Sequence, residues 1–218
     1  MDTEKESAPP AHSALVGANF TGLEPASHRY FLNGRRVVGI NEALTLSGLK
    51  PDLGGLRGRH ARNVEYAGDR GVAVHAMCAL DDTGQAELYE MDPNLLGYLE
   101  AWRSFKAEYR YVPDFTETPL VHHTYVFGGT PDSAGYSGKL GVYCVVERKS
   151  RALEPWDELQ VAGQAILLAD VYRKAPQAKL LVQLRDDERY TVEECRRREA
   201  RGIFLAAVTV ASEILRRG

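Results

Sequence analysis

Fourteen residues separate Asp132 from Glu147, and Lys149 follows Glu147 across one intervening residue, in the run GGTPDSAGYSGKLGVYCVVERKS over 128–150. On an extended strand Glu147 and Lys149 share a face, about 7 Å apart, while Arg148 points away. If Asp132 on a neighbouring strand faces the same way, two carboxylates can share a hard divalent cation, because Mg²⁺ and Mn²⁺ take oxygen ligands in octahedral arrangement. A lysine beside them would stabilise negative charge or help a water act as nucleophile. The alternative is a solvated strand end, since charge pairs on strands are common. Pro-Asp occurs at Asp52, Asp114 and Asp132, whereas acid-x-lysine occurs once, and only Asp132 lies one hairpin from it.

The elements that would position these groups follow from periodicity. Residues 1–27 are polar, Pro- and Ala-rich and aperiodic, and read as a flexible N-terminal arm. RYFLNGRRVVG alternates about Asn33-Gly34, a hairpin turn signal, and a short helix from Asn41 to Gly48 completes a small module over 28–50. A helical pattern runs from about Arg62 to Leu80, with His75 on or beside its buried face and Gly71 placed to let the helix approach a sheet. Asp92-Pro93 opens a second helix carrying Leu95, Leu99, Trp102 and Phe105, which ends before Pro113. From Pro119 the period becomes two, and PLVHHTYVF, TPDSAGY and KLGVYCVVERK read as three strands of a β-meander. A helix follows from Pro155 to about Tyr172, then the buried strand AKLLVQL, then a terminal helix over about 191–217 that starts at a Thr191/Glu194 capping box. The expected fold class is α/β (α+β), with a core over about 61–185 inside a single domain spanning 28–218.

GGTPD, fourteen residues, ERK, then a helix bearing Gln160 resembles the PD-(D/E)XK nuclease superfamily, with its restriction-endonuclease-like core: a central mixed sheet with a meander flanked by helices, in the order α-β-β-β-α-β. RGVAVHAM, LGYLEAWRSF and QVAGQ are similar to motifs of the RecB-like and phage-type exonucleases within it. The resemblance implies that Asp132 and Glu147, with the backbone carbonyl of Arg148, hold Mg²⁺ or Mn²⁺, that His75 is an additional ligand, and that Lys149 is catalytic. It further implies that Gln160 orients the site or the DNA and that Glu117 is an additional acid. Gln164 stands where that family carries a tyrosine on DNA, and the cysteines that hold an iron–sulfur cluster in some relatives are missing, so no cluster is expected. The implied activity is a divalent-metal-dependent deoxyribonuclease, an exonuclease of DNA recombination, repair or end-processing. A catalytically silent DNA-binding or protein-interaction module, or a structure- or site-specific endonuclease, is the alternative. DNA is the implied partner, and an annealing protein, a helicase or a homo-oligomer is compatible with it.

Composition sets the outer bounds. The chain has 218 residues, 44% hydrophobic and 26% charged, with a formal net charge of −3, so any surface for a polyanion has to be local. Arg57, Arg59 and Arg62, in GLRGRHARN, are the expected phosphate contacts. Arg196 to Arg198 read as a solvated face. His122 and His123 are adjacent on an expected strand, so they cannot chelate together. Three widely spaced cysteines suggest a reducing, cytoplasmic setting, and the longest apolar run, IFLAAVTVA, is far shorter than the roughly 18 residues a membrane span needs.

Overall fold

The computed structural model describes residues 21–25, 27–53, 58–86 and 91–217, with the side chains of 58–64 outside that description. Two five-stranded sheets form the frame. The first comprises β1 (Gly22–Glu24), β2 (Arg29–Leu32), β3 (Arg35–Gly39), β5 (Leu120–His122) and β6 (Phe127–Gly129), in the order β1-β2-β3-β6-β5. The second comprises β4 (Tyr111–Thr116), β7 (Ser133–Ser137), β8 (Val142–Lys149), β9 (Ala178–Leu184) and β10 (Tyr190–Glu194), in the order β10-β9-β8-β7-β4. The helices are α1 (Ile40–Leu46), α2 (Gly58–Asp82), α3 (Leu96–Tyr109), α4 (Asp157–Val171) and α5 (Ala200–Arg217).

The expected mixed α/β class is observed. The β2–β3 hairpin turns at Asn33 and Gly34, both left-handed at φ 50° and 73°, as a two-residue turn of this sequence requires. Asp92 accepts from Asn94 N at 2.9 Å and, with Pro93, starts a 3₁₀ turn that leads into α3.

In the second sheet, β4, β7 and β8 pair antiparallel, and β9 returns parallel to β8 after α4. The order helix, three antiparallel strands, helix, parallel strand is thus present, but the first strand of the meander is YVPDFT rather than PLVHHTYVF. Pro113 and Asp114 hide β4 from a reading by periodicity. The sheet tolerates them because β4 is an edge strand with a register shift between Pro113 and Phe115. PLVHHTYVF forms β5 and β6, which pair with each other and, through β6, with β3 of the first sheet.

Two further expectations are corrected. Thr191 and Glu194 cap no helix: they lie in β10, antiparallel to β9, and α5 begins only at Ala200. The alternation of Tyr190, Val192 and the residues between them suits an edge strand against β9 better than a helix start. Gly22–Glu24, within the stretch read as an arm, forms β1 against β2, while 1–20 lie outside the described residues.

Alternation along β8 and β9 sorts the core into two layers. Val145 and Leu181 pack with Leu159, Ala162, Ile166 and Phe204 of α4 and α5, whereas Cys144, Val146, Leu180 and Val182 pack with Val74, Cys78, Trp102 and Phe105 of α2 and α3. Continued by one step at the end of β8, the same alternation sends Glu147 toward α4 and Arg148 toward α2 and α3.

The β4–β7 pairing depends on Gly135, where an added Cβ would lie 2.1 Å from the carbonyl oxygen of Val112. Gly135→Ala is therefore expected to cost at least about 1–3 kcal/mol and to lower the melting temperature by about 2–4 °C per kcal/mol. A melting curve within a degree of the parent would refute the close approach.

Candidate active site

The acids and the histidine come from four elements. His75 extends from α2, which reaches the ends of β7 and β8, and Glu117 follows directly on β4. Asp132 immediately precedes β7, and Glu147 and Lys149 close β8. Gly71 is not what permits the approach of α2: a Cβ there would meet Ser150 Oγ at an ordinary 3.8 Å. Arg70 instead donates to the carbonyl of Ser150 at 3.3 Å and ties the helix to the strand end.

One ligand atom each from His75, Glu117 and Asp132 falls within a 4.8 Å circle. His75 Nδ1 lies 3.2 Å from Glu117 Oε1 and 3.4 Å from Asp132 Oδ1, and its Nε2 lies 3.1 Å from the carbonyl oxygen of Arg148. Burial pushes the imidazole toward its neutral form, but the Asp132 and Glu117 carboxylates outweigh burial and lift its pKa to about 10. Asp132 is held low in return: burial opposes ionisation, and the positive His75 overcomes it. Two carboxylates, an imidazole and an adjoining carbonyl form an oxygen-rich donor set of the kind Mn²⁺ and Mg²⁺ accept, and a cation there would take the place of a proton on His75.

Glu147 sits beside this trio and is turned to α4. Its Oε1 accepts from Lys149 Nζ at 2.5 Å and from Gln160 Nε2 at 2.6 Å, and its Oε2 accepts from Gln164 Nε2. Gln160 Oε1 also accepts from Lys149 Nζ at 3.0 Å, so one amide bridges the acid and the lysine. Burial, then the charge of Asp132, raises Glu147 to about 7, more than the pull of Lys149 lowers it. Lys149 stays cationic despite burial because Glu147, Asp157 and Asp132 surround it. Gln164, expected to meet DNA, is 1% exposed and spends its amide on Glu147. Arg57 lies outside the described residues, as do the side chains of Arg59 and Arg62.

Two side chains that the motif does not single out complete the site. Arg148, 0% exposed, projects to the face opposite Glu147. Its Nη2 donates to Glu117 Oε1 at 2.8 Å and to the Asp132 carbonyl at 2.9 Å, its Nη1 to Asp82 Oδ2 at 3.2 Å, and its guanidinium lies 5.0 Å from the Trp102 ring centroid. Asp157 accepts twice from Arg151, at 2.6 and 2.8 Å, and lies 3.5 Å from Lys149 Nζ. From sequence Asp157 reads only as an acid in the first turn of a helix. The side chain of Arg148 reads only as the one facing away. Glu117 itself is left-handed at φ 41°, uncommon for a side chain of its kind, and its N–H donates to the Asp132 carbonyl at 3.2 Å.

A cleft of about 960 Å³ opens over these groups, and Arg29, Lys50 and Arg151 are among its lining residues. His122, by contrast, is a satisfied core residue of the first sheet: its Nδ1 accepts from the N–H groups of Thr124 and Tyr125 at 3.2 and 3.1 Å.

Replacing Arg148 by methionine leaves Asp82 and Glu117 without their shared cation. Arg148→Met is expected to cost about 3–5 kcal/mol, read as a melting temperature lower by roughly 6–20 °C. Arg148→Lys is expected to recover little, since an ammonium cannot span the same three acceptors in a planar fork. Equal stability of the parent and either variant would refute this assignment. Glu147 supplies a pH test. Its folded pKa of about 7 lies above its ordinary 4.5, so its contribution to stability is whole below about 4.5 and is lost as pH rises through 7. In chelator, the melting temperature of the parent should fall from about pH 5 to about pH 8 more steeply than that of Glu147→Gln; parallel curves would contradict the shift.

Compared with known proteins, the sequence matches no protein-family model and no curated protein. Among solved structures, it is similar to an alkaline exonuclease (LHK-Exo) from Laribacter hongkongensis, at 15% identity and a TM-score of 0.40, over 83% of this chain and 92% of that one. It is also similar to LHK-Exo in complex with dAMP, at 17% identity and a TM-score of 0.34, over the same shares of the two chains.

Proposed function

We propose that this chain is a divalent-metal-dependent deoxyribonuclease, acting as an exonuclease in DNA recombination, repair or end-processing. The observation that carries the reading is the convergence of His75, Glu117 and Asp132 within 4.8 Å, next to the Glu147–Lys149 pair at the ends of β7 and β8. Isolated acid-lysine pairs are common on strands; a trio of ligand-type side chains drawn from three other segments beside one is not explained by solvation of a strand end.

His75, Glu117 and Asp132 would hold Mg²⁺ or Mn²⁺, with the Arg148 carbonyl and Glu147 adjoining. Such an ion supplies Lewis acidity and charge neutralisation at a phosphodiester. The chain's own groups do the rest. Arg148 fixes Glu117 and the Asp132 carbonyl from beneath. Gln160 holds Lys149 Nζ and Glu147 Oε1 in register, and Asp157 steadies the ammonium from its other side. Lys149 thereby places a fixed positive charge where a phosphoryl group gains negative charge in the transition state, without reorganisation at that moment. Glu147, poised near neutral pH, can accept or release a proton. Arg29, Lys50 and Arg151 give the cleft the cationic lining that a phosphate backbone needs.

Lys149→Ala is expected to lower turnover by roughly 10²–10³ with little change in DNA affinity, because its contribution is made in the transition state. The function itself is tested with end-labelled linear DNA and covalently closed circular DNA, each with Mg²⁺ or Mn²⁺ and with chelator. Metal-dependent loss of the linear form alone supports the exonuclease. Cutting of both forms would make the chain an endonuclease, and cutting of neither would refute hydrolysis.

A further inference from the structure

A second cleft, of about 740 Å³, lies on the other side of α4. Gln160 and Gln164 line the catalytic cleft, whereas Ala162, Ala165 and Ala169 form the floor of the second, so a helix roughly 10 Å across separates them. Small side chains leave this floor shallow and apolar. Around it stand Lys179, Arg196, Arg197, Arg198 and Arg201, against one lining carboxylate, Asp170. Arg196 is paired with Glu194 at 2.6 Å, and Arg201 leans on Tyr125, its Nη2 3.3 Å from the phenol oxygen. The side chains of Lys179, Arg197 and Arg198 make no ion pair among the described residues. In a chain whose formal net charge is −3, this gathering of cations is local.

The rim adds an independent sign. The β5–β6 turn holds Val126 at φ 55°, a left-handed conformation that a β-branched residue adopts only at a cost of order 1–3 kcal/mol. His122 maintains the turn through the two N–H groups its Nδ1 accepts and through its carbonyl, which accepts from Val126 N at 3.0 Å. The result is that Tyr125, which lines the cleft beside Arg201, stands 40% exposed, and Val126, next in the turn, 44%. Tyr125 packs one side of its ring on His122, at 4.7 Å between centroids, and leaves the remainder open to solvent next to Arg201.

We infer that this cleft is a second binding surface, for a single-stranded segment of nucleic acid, distinct from the catalytic cleft. Unpaired arginine forks match phosphate oxygens, and an apolar floor with exposed apolar groups at its rim accepts unstacked bases without reading their sequence. A duplex presents its bases stacked inside and offers nothing to the floor. The inference goes beyond the proposed hydrolysis and does not depend on it.

The test uses the full chain in chelator, with a fluorescent oligothymidylate of about a dozen nucleotides as probe. The triple variant Arg197→Ala/Arg198→Ala/Arg201→Ala is expected to bind it at least about tenfold more weakly, with the log–log salt slope reduced by about 2, near 0.7 for each phosphate no longer neutralised. Tyr125→Ala is expected to weaken binding severalfold and leave the salt slope unchanged, as removal of an uncharged stacking group does. A melting curve confirms that these surface changes leave the fold intact. Cleavage of a short blunt duplex with metal, measured separately, is expected to be unaffected, so failure of hydrolysis and failure of the second surface are read in different assays. Parent-like oligothymidylate affinity in the triple variant would overturn the inference. So would polyglutamate displacing the probe from the parent at lower concentration than unlabelled oligothymidylate does, which would make the surface one for an acidic protein segment.

Discussion

The guanidinium of Arg148 is the fixture on which the site is built. It is fully buried, and within hydrogen-bond reach it meets Asp82 from the end of α2, Glu117 from the segment after β4, and the carbonyl of Asp132 ahead of β7, while its flat face rests on Trp102 of α3. A buried cation is costly unless its partners are in place, so the charge stabilises only one mutual arrangement of these four segments. Asp82 is itself shared, accepting from Lys106 at 2.9 Å and from Trp102 Nε1 at 2.8 Å, which carries the constraint on into α3. The carboxylates that face the cleft are in this way held from the side that faces the core.

β8 delivers charged side chains to both faces of the sheet. Glu147 and Lys149 look toward α4, and Arg148 looks toward α2 and α3. The first pair needs polar cover on a helix whose middle, 159–169, is otherwise apolar, which Gln160 and Gln164 provide one turn apart. The second needs acids on the far side, which Asp82 and Glu117 provide. His75 joins the two halves, with one ring nitrogen toward the carboxylates and the other toward the backbone of Arg148.

Much of this was legible in the residues alone. The period-two run of KLGVYCVVERK, the Asn33-Gly34 turn and the Asp92-Pro93 helix start are local signals, and each produced the element it announces. The pairing of an acid and a lysine on one strand face, with an arginine on the other, follows from the pleat. What periodicity could not reach were features decided by tertiary contact. β4 carries a proline that is admissible only at a sheet edge, and β10 carries a Ser/Thr/Glu-type capping pattern whose apolar positions were claimed by β9. The side chain of Arg148 has no local partner: its acceptors lie 16, 31 and 66 residues away. Asp157 and Gln164 likewise acquire their roles only once α4 has been laid across the end of β8.

Those separations have a temporal consequence. His75 and the Arg148 backbone are 73 residues apart, and Glu147 meets Gln164 only after the chain has crossed from β8 into α4, while parallel pairing with β9 comes later still. Loop-closure entropy must be met before such non-local contacts return any stability, so they are among the last to form. During synthesis the histidine and the first carboxylate emerge well before the lysine and its glutamines. The incomplete chain therefore carries the histidine and its carboxylates without the lysine and the glutamines, and the full constellation comes into being only with a finished sheet.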